Sequence, residues 1–138
     1  IEDQAVVRKG LTAFLGEYEG MHVIGEAADG LKGIQLMEEL KPDVVLVDLA
    51  LPGIDGIETI RRMIALRPEQ RIIVLTAYAE EDKIDLAARA GAMGYLVKDT
   101  EPEQLVQSIR KVHSGIPAFS SMVLWRVFKN REKGSETI

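Results

Sequence analysis

The chain has 138 residues, 46% of them hydrophobic and 28% charged, a composition typical of one globular domain. Its 17 basic and 22 acidic residues give a formal net charge of -5, which argues against nucleic-acid binding by the field of the domain itself. The absence of cysteine excludes a disulfide framework and suits a reducing cytoplasm, and no apolar run approaches the roughly 18 residues that span a bilayer, so no membrane partner is expected.

Strand and helix patterns alternate along the chain in five pairs. Buried strands are expected at residues 1–2, 21–28, 43–48, 71–76 and 94–98. Helices with one apolar face are expected between residues 3 and 20, 29 and 42, 55 and 68, 80 and 91, and 100 and 113. This rhythm predicts an α/β fold of the (βα)5 kind, a doubly wound parallel sheet with helices on both faces.

The two ends of the chain carry separate predictions. Because the first strand has almost no residues here, we expect roughly five preceding residues in the natural protein. A connector is expected from Ser114 to Ala118, and residues 119–131 form a further amphipathic helical pattern around Trp125. We therefore predict one domain over residues 1–115 and a linker helix within residues 116–138.

Polar side chains stand at the ends of four predicted strands. Glu2 and Asp3 end the first strand, Asp48 the third, Thr76 the fourth and Lys98 the fifth. Because parallel strands end at one edge of a sheet, these side chains should meet there. Three neighbouring carboxylates favour a hard divalent cation, above all Mg²⁺. With such an ion, Asp48 could attack a phosphoryl group while Lys98 offsets its charge and Thr76 donates a hydrogen bond to it.

The same residues resemble the receiver domains of two-component response regulators, over about residues 1–115. The matching positions are the acidic pair Glu2-Asp3, the phosphoacceptor Asp48, Pro52 and Gly56 in the turn after it, the hydroxyl residue Thr76, the switch aromatic Tyr95 and the lysine Lys98. The resemblance implies a flavodoxin-like sheet with strand order 2-1-3-4-5. It also implies that Mg²⁺ is bound by Asp3, Asp48 and the carbonyl of Ala50, with Glu2 as a weaker ligand.

The resemblance further implies a phosphorylation switch. A sensor histidine kinase would transfer a phosphoryl group to Asp48, and Thr76 and Tyr95 would then shift the face formed by residues 80–113. The shift would favour a homodimer or release an output domain that regulates transcription. The chain would act on no outside substrate and would catalyse only its own phosphoryl transfer and dephosphorylation.

The Lys98-Asp99 pair and the segment Ser114 to Pro117 resemble the nitrate-regulator subfamily, whose output is a helix-turn-helix DNA-binding domain. That output domain is absent from this chain, so DNA binding would belong to it alone.

Other interpretations remain open at the level of sequence. Asp48 could be a turn former, Lys98 a surface charge, Thr76 a strand former and Tyr95 a packing residue. A degenerate receiver that only binds other proteins is the main functional alternative. A haloacid dehalogenase-type phosphatase is disfavoured because Ala50 stands where that class needs a second aspartate, and a flavodoxin-like nucleotide binder is disfavoured because no glycine-rich loop follows the first strand.

Overall fold

The structure is a computed structural model that describes residues 1–77 and 80–119. Its helices are α1 Ala5–Leu15, α2 Gly30–Leu40, α3 Gly56–Leu66, α4 Glu81–Ala90 and α5 Pro102–His113. Its strands are β1 Val44–Val47, β2 Arg71–Thr76, β3 Gly94–Val97 and β4 Ala118–Phe119. Within the described ranges, no helix has the length and apolar character needed to cross a membrane.

The four strands form one parallel sheet in the order β1-β2-β3-β4. Val47 pairs with Val74 and Thr76 pairs with Val97, so β1, β2 and β3 end at the same edge. The central strand β2 is buried along almost its whole length. A valine- and isoleucine-rich strand with few polar residues is what burial on both faces of a parallel sheet requires.

Helices cover both faces of the sheet, and each face has its own apolar core. On one face Ile72 and Val74 of β2 pack with buried residues of α2, α3 and α4, including Met37, Met63 and Ile84. On the other face α1 and α5 cover Ile73, Leu75 and their neighbours, with Leu15, Leu105, Val106, Ile109 and Val112 as buried contributors. The α/β doubly wound, flavodoxin-like fold is confirmed.

The prediction of a strand over residues 21–28 is wrong, because residues 21–27 have no regular secondary structure. Only Ile1 and Glu2 lie between this segment and β1. The Glu2 N–H donates to the Ala27 carbonyl (3.0 Å), and the Asp48 N–H donates to the Ile1 carbonyl (3.0 Å). Two residues are too few for the consecutive backbone hydrogen bonds that define a strand pair, so strands 1 and 2 of the expected order are not formed. The observed β1, β2 and β3 correspond to strands 3, 4 and 5 of that order.

The segment after α5 also differs from expectation. Ala118 and Phe119 form β4, which pairs with Gly94 and Tyr95 of β3, where the sequence predicted a connector and the start of a helix. A Cβ atom on Gly94 would lie 2.8 Å from the Ala118 carbonyl oxygen, so glycine is what allows β4 to approach. The rest of the expected linker helix, including Trp125, lies outside the described residues.

Helix starts are set partly by aspartate caps. Asp55 accepts a hydrogen bond from the Glu58 N–H (2.9 Å) at the start of α3, and Asp29 caps α2 by accepting from the Lys32 N–H (2.8 Å). Asp3 and Thr100, which lie next to the starts of α1 and α5, are not the capping residues. The capping positions are Gln4 for α1 and Glu101 for α5, neither with a side-chain cap, and Pro102 at the first turn of α5 supplies the preset backbone angle instead.

Candidate functional site

Asp48 directly follows β1, and its carboxylate is buried at the carboxyl edge of the sheet. The side chain is 6% exposed. Oδ1 accepts a hydrogen bond from the Ala50 N–H (3.2 Å), and Oδ2 accepts one from the Lys98 ammonium (3.0 Å). Both carboxylate oxygens are therefore held in fixed directions.

Lys98 directly follows β3 and joins two carboxylates. Its Nζ donates to Glu2 Oε2 (2.8 Å) and to Asp48 Oδ2 (3.0 Å), and its backbone N–H donates to the Thr76 carbonyl (2.7 Å). Burial disfavours the charged ammonium, but the hydrogen bonds to Glu2 and Asp48 outweigh it and raise the pKa of Lys98 above its ordinary value. Lys98 is therefore a permanent cation at neutral pH.

Glu2, Asp3 and Asp48 form the acidic cluster predicted at this edge. One carboxylate oxygen from each lies within 4.8 Å of the others, with Glu2 and Asp48 buried and Asp3 exposed. Three carboxylates face the single ammonium of Lys98, so the cluster has an excess of negative charge. An exposed carboxylate beside two buried ones fits a hard dication that keeps some of its water, as Mg²⁺ does.

Thr76 and Tyr95 occupy neighbouring strands beside this cluster. Thr76 is the last residue of β2 and is 7% exposed. Tyr95 pairs with Val74 in the middle of the sheet and is fully buried in the core shared with α4. Burial raises the pKa of Tyr95 from 10.0 to about 12, and the carboxylates of Glu80, Asp82 and Asp48 add to the rise. Among the described residues, its Oη has no hydrogen-bond partner.

The loop after Asp48 folds tightly against α3. Gly53 has φ +74°, a conformation that favours glycine, and the Gly56 N–H donates to the Leu49 carbonyl (3.0 Å). A Cβ atom on Gly56 would lie 2.5 Å from the Asp48 carbonyl oxygen. The absence of a side chain at Gly56 therefore allows α3 to begin immediately under Asp48.

Comparison with known proteins now decides the family. The family described as Response regulator receiver domain matches residues 1–110. The chain belongs to this family.

This receiver domain is similar in sequence to part of longer transcription regulators. It is 45% identical over 123 residues to the uncharacterized transcriptional regulatory protein YhcZ of Bacillus subtilis, covering 89% of this chain and 57% of that protein. It is 36% identical over 115 residues to the nitrate/nitrite response regulator NarL of Escherichia coli, covering 83% of this chain and 53% of NarL. The receiver domain thus spans little more than half of each of these relatives.

A solved structure supports the same assignment. The crystal structure of a LuxR-family two-component response regulator from Aurantimonas sp. SI85-9A1 has a TM-score of 0.90 and 33% identity, covering 94% of this chain and 93% of that one. The predicted resemblance to response regulators of the nitrate-regulator type is confirmed.

The structure brings Glu2, Asp3, Asp48 and Lys98 of the receiver domain into one cluster, with Thr76 at the end of the intervening strand. Sequence reasoning missed Arg8, whose guanidinium donates to the Glu2 carbonyl (2.8 Å). No pattern distinguished it, because it lies six residues after Glu2 on a helix that also carries the basic residue Lys9. His22 and His113, for which no role was predicted, are both exposed.

Proposed function

We propose that Asp48 of this receiver domain accepts a phosphoryl group from a sensor histidine kinase in a Mg²⁺-dependent reaction. The observation that carries the proposal is the buried Asp48 carboxylate, hydrogen-bonded to Lys98 and grouped with Glu2 and Asp3. Buried carboxylates that share one ammonium are costly as a merely structural arrangement, which favours a functional role.

The acidic cluster fits the predicted metal. Asp3 and Asp48, the Ala50 carbonyl and, more weakly, Glu2 would hold Mg²⁺. When bound, the ion neutralises negative charge on the transferred phosphoryl oxygens. This proposal uses Asp3, which is exposed and so accessible to an ion that arrives with its water.

The chain's own residues supply the rest of the chemistry. An Asp48 carboxylate oxygen forms a bond to phosphorus as the bond from phosphorus to the donor histidine nitrogen breaks, and the electron pair of that bond stays on the imidazole. Lys98 then moves its ammonium from the Asp48 carboxylate towards the phosphoryl oxygens. The Thr76 hydroxyl donates a hydrogen bond to one of them.

The output of phosphorylation is proposed to pass through Tyr95. Movement of Thr76 towards the phosphoryl group opens space beside β3, and the buried phenol, which lacks a partner among the described residues, gains by turning into it. The face formed by α4, β3 and α5 changes shape, which favours a homodimer. DNA binding and transcription regulation would follow through an output domain, and the cytoplasm is the proposed location, as the family resemblance implies.

The proposal does not extend to turnover of outside substrates. Ala50 offers no carboxylate two residues after Asp48 to act as an acid or base on a second substrate. The chain would catalyse only its own phosphoryl transfer and dephosphorylation.

The test is intact-mass measurement after incubation with acetyl phosphate. The chain should gain the mass of one phosphoryl group in the presence of Mg²⁺ and none in EDTA, and Asp48→Ala should gain none. Asp43→Ala is the matched control, because Asp43 precedes the same strand at its opposite end. Equal labelling of Asp48→Ala would overturn Asp48 as the phosphoacceptor. No labelling of the unaltered chain with Mg²⁺ would favour a receiver that acts as a phosphorylation-independent interaction module.

A further inference from the structure

We propose that Arg8, anchored by Glu26, is a positioning residue that fixes the Glu2-Asp3 backbone for the metal. This inference rests on the proposed function, since it assigns Arg8 to the same cation site. Arg8 itself contacts no carboxylate of the acidic cluster. It acts through the main chain that carries two of the three carboxylates.

The contact is made by the guanidinium folding back from α1. Arg8 lies in the first half of α1, and Nη1 donates to the Glu2 carbonyl (2.8 Å). The N–H of the same residue, Glu2, donates to the Ala27 carbonyl (3.0 Å). Both polar backbone groups of Glu2 are thus bonded, one to the 21–27 segment and the other to the Arg8 side chain.

The Glu2 side chain is fixed by separate partners. Oε2 accepts from the Lys98 ammonium (2.8 Å), and Oε1 accepts from the Gln4 N–H (3.2 Å). Lys98 therefore orients the carboxylate, whereas Arg8 sets where the backbone of Glu2 and Asp3 lies. Because Lys98 and Arg8 hold different parts of Glu2, neither residue can replace the other.

Glu26 explains why the guanidinium takes this position. Glu26 Oε1 lies 3.5 Å from Arg8 Nε, and this oxygen is buried with no hydrogen-bond partner among the described residues. Arg8 is 21% exposed and Glu26 is 27% exposed, so water screens the pair only partly. Arg8 thus spans from a carboxylate to a carbonyl, a geometry for which the planar guanidinium fork is suited and a lysine is not.

The electrostatic effect of Arg8 runs in the opposite direction. A positive charge near an acidic cluster repels a dication, so removing that charge alone should tighten Mg²⁺ binding. A positioning role predicts the reverse, because Mg²⁺ demands near-ideal ligand geometry and loses affinity when its ligands are free to move. The sign of the change in affinity therefore separates the two effects.

Lys9 provides a matched control on the same helix. Its Nζ also contacts Glu26, at 3.4 Å from Oε1, but the side chain is 69% exposed, and the Glu2 carbonyl receives its hydrogen bond from Arg8. Lys9→Gln and Arg8→Gln remove the same charge from adjacent positions. Only the second removes the hydrogen bond to Glu2.

The experiment is titration of the full 138-residue chain and its variants with Mg²⁺ and with Ca²⁺, followed by amide NMR shifts. Arg8→Gln should raise the Mg²⁺ dissociation constant about tenfold, Arg8→Lys should not restore it, and Glu26→Gln should raise it by a smaller factor. Lys9→Gln should leave it unchanged or lower. The preference for Mg²⁺ over the larger Ca²⁺ should fall in Arg8→Gln, which a general loss of structure would not produce.

Two controls keep the outcomes distinct. Thermal unfolding in EDTA identifies a variant that fails to fold, in which case Glu26→Gln, which retains an acceptor for Arg8, carries the test. Failure of the unaltered chain to bind Mg²⁺ would overturn the proposed function. Normal binding by the unaltered chain together with equal or tighter binding by Arg8→Gln would overturn the role of Arg8 alone.

Discussion

The two edges of the sheet both carry charged residues, yet they differ in burial and in charge balance. At the carboxyl edge, Glu2 and Asp48 are each 6% exposed and share the ammonium of Lys98. At the amino edge, Asp43 and His113 are 83% and 60% exposed, and their nearest atoms are 3.9 Å apart. Charges at the amino edge remain hydrated and have little desolvation free energy, whereas the buried carboxylates at the carboxyl edge have a large one.

The polar groups at the amino edge serve the backbone instead. The Gln70 side-chain amide donates to the carbonyls of Pro42 (3.2 Å) and Arg71 (3.1 Å), and the Arg71 guanidinium donates to the His113 carbonyl. These hydrogen bonds satisfy backbone carbonyls beside the strands and at the end of α5, and they gather no cluster of like charges. Charged residues at a sheet edge are therefore a weak indicator of a functional site. Buried charges that are not fully neutralised are a stronger indicator.

Removal of Lys98 should give the largest effect. Lys98→Ala leaves Glu2 and Asp48 buried without their cation and should lower the free energy of unfolding by about 3–5 kcal/mol at neutral pH without Mg²⁺. The loss should shrink when Mg²⁺ is added, because the ion offsets the negative charge of the carboxylates. Urea denaturation with and without Mg²⁺ measures the change in the free energy of unfolding.

The amino edge supplies the control for Lys98. Asp43→Ala breaks an exposed pair and should change the unfolding free energy by less than about 0.5 kcal/mol. A loss of similar size in both variants would show that burial is not what distinguishes the two edges.

Tyr95 should give the next largest effect, and only at high pH. Its pKa is about 12 in the folded chain against 10.0 ordinarily, so the native state keeps the proton that the unfolded chain releases. Stability from this source is fully present below pH 10 and is lost as the pH rises towards 12, by about 3 kcal/mol for a two-unit shift.

Comparison with Tyr95→Phe isolates this contribution. The variant lacks the ionisable phenol, so its unfolding free energy should fall less than that of the unaltered chain over the same pH interval. Identical pH profiles for the two proteins would contradict the raised pKa of Tyr95.

Glycine substitutions at the two edges should reduce stability less than removal of Lys98 does. Gly56→Ala places a Cβ 2.5 Å from the Asp48 carbonyl, and Gly94→Ala places one 2.8 Å from the Ala118 carbonyl. Each should cost about 1–3 kcal/mol of stability. Only Gly56→Ala should also weaken Mg²⁺ binding, because it displaces the loop that carries Asp48; equal weakening by Gly94→Ala would contradict this.

The sequence predicted the site better than it predicted the sheet. Asp48, Thr76 and Lys98 could be placed together because each ends an apolar run, and parallel strands share an edge. The segment 21–28 has a strand-like pattern, but pairing depends on a neighbouring strand, which a local pattern cannot show. Arg8 escaped prediction for a related reason, since its partners are a backbone carbonyl and a distant carboxylate.

β4 was unpredictable on similar grounds. Its two residues are too few for any periodic pattern, and its position depends on Gly94, 24 residues earlier in the chain than Ala118, having no side chain. Short strands of this kind become visible only when the whole sheet is assembled.

Lys98 is hydrogen-bonded to Glu2, which is 96 positions earlier in the chain, and to Asp48, which is 50 positions earlier. Contacts so distant in sequence slow folding, because the entropy of closing long loops is lost before such contacts exist. During synthesis, a nascent chain that has passed residue 48 but not residue 98 contains Glu2, Asp3 and Asp48 without the ammonium of Lys98. The ability of this edge to accept a phosphoryl group is therefore a property of the completed fold. A chain cleaved between residues 48 and 98 should lose that ability.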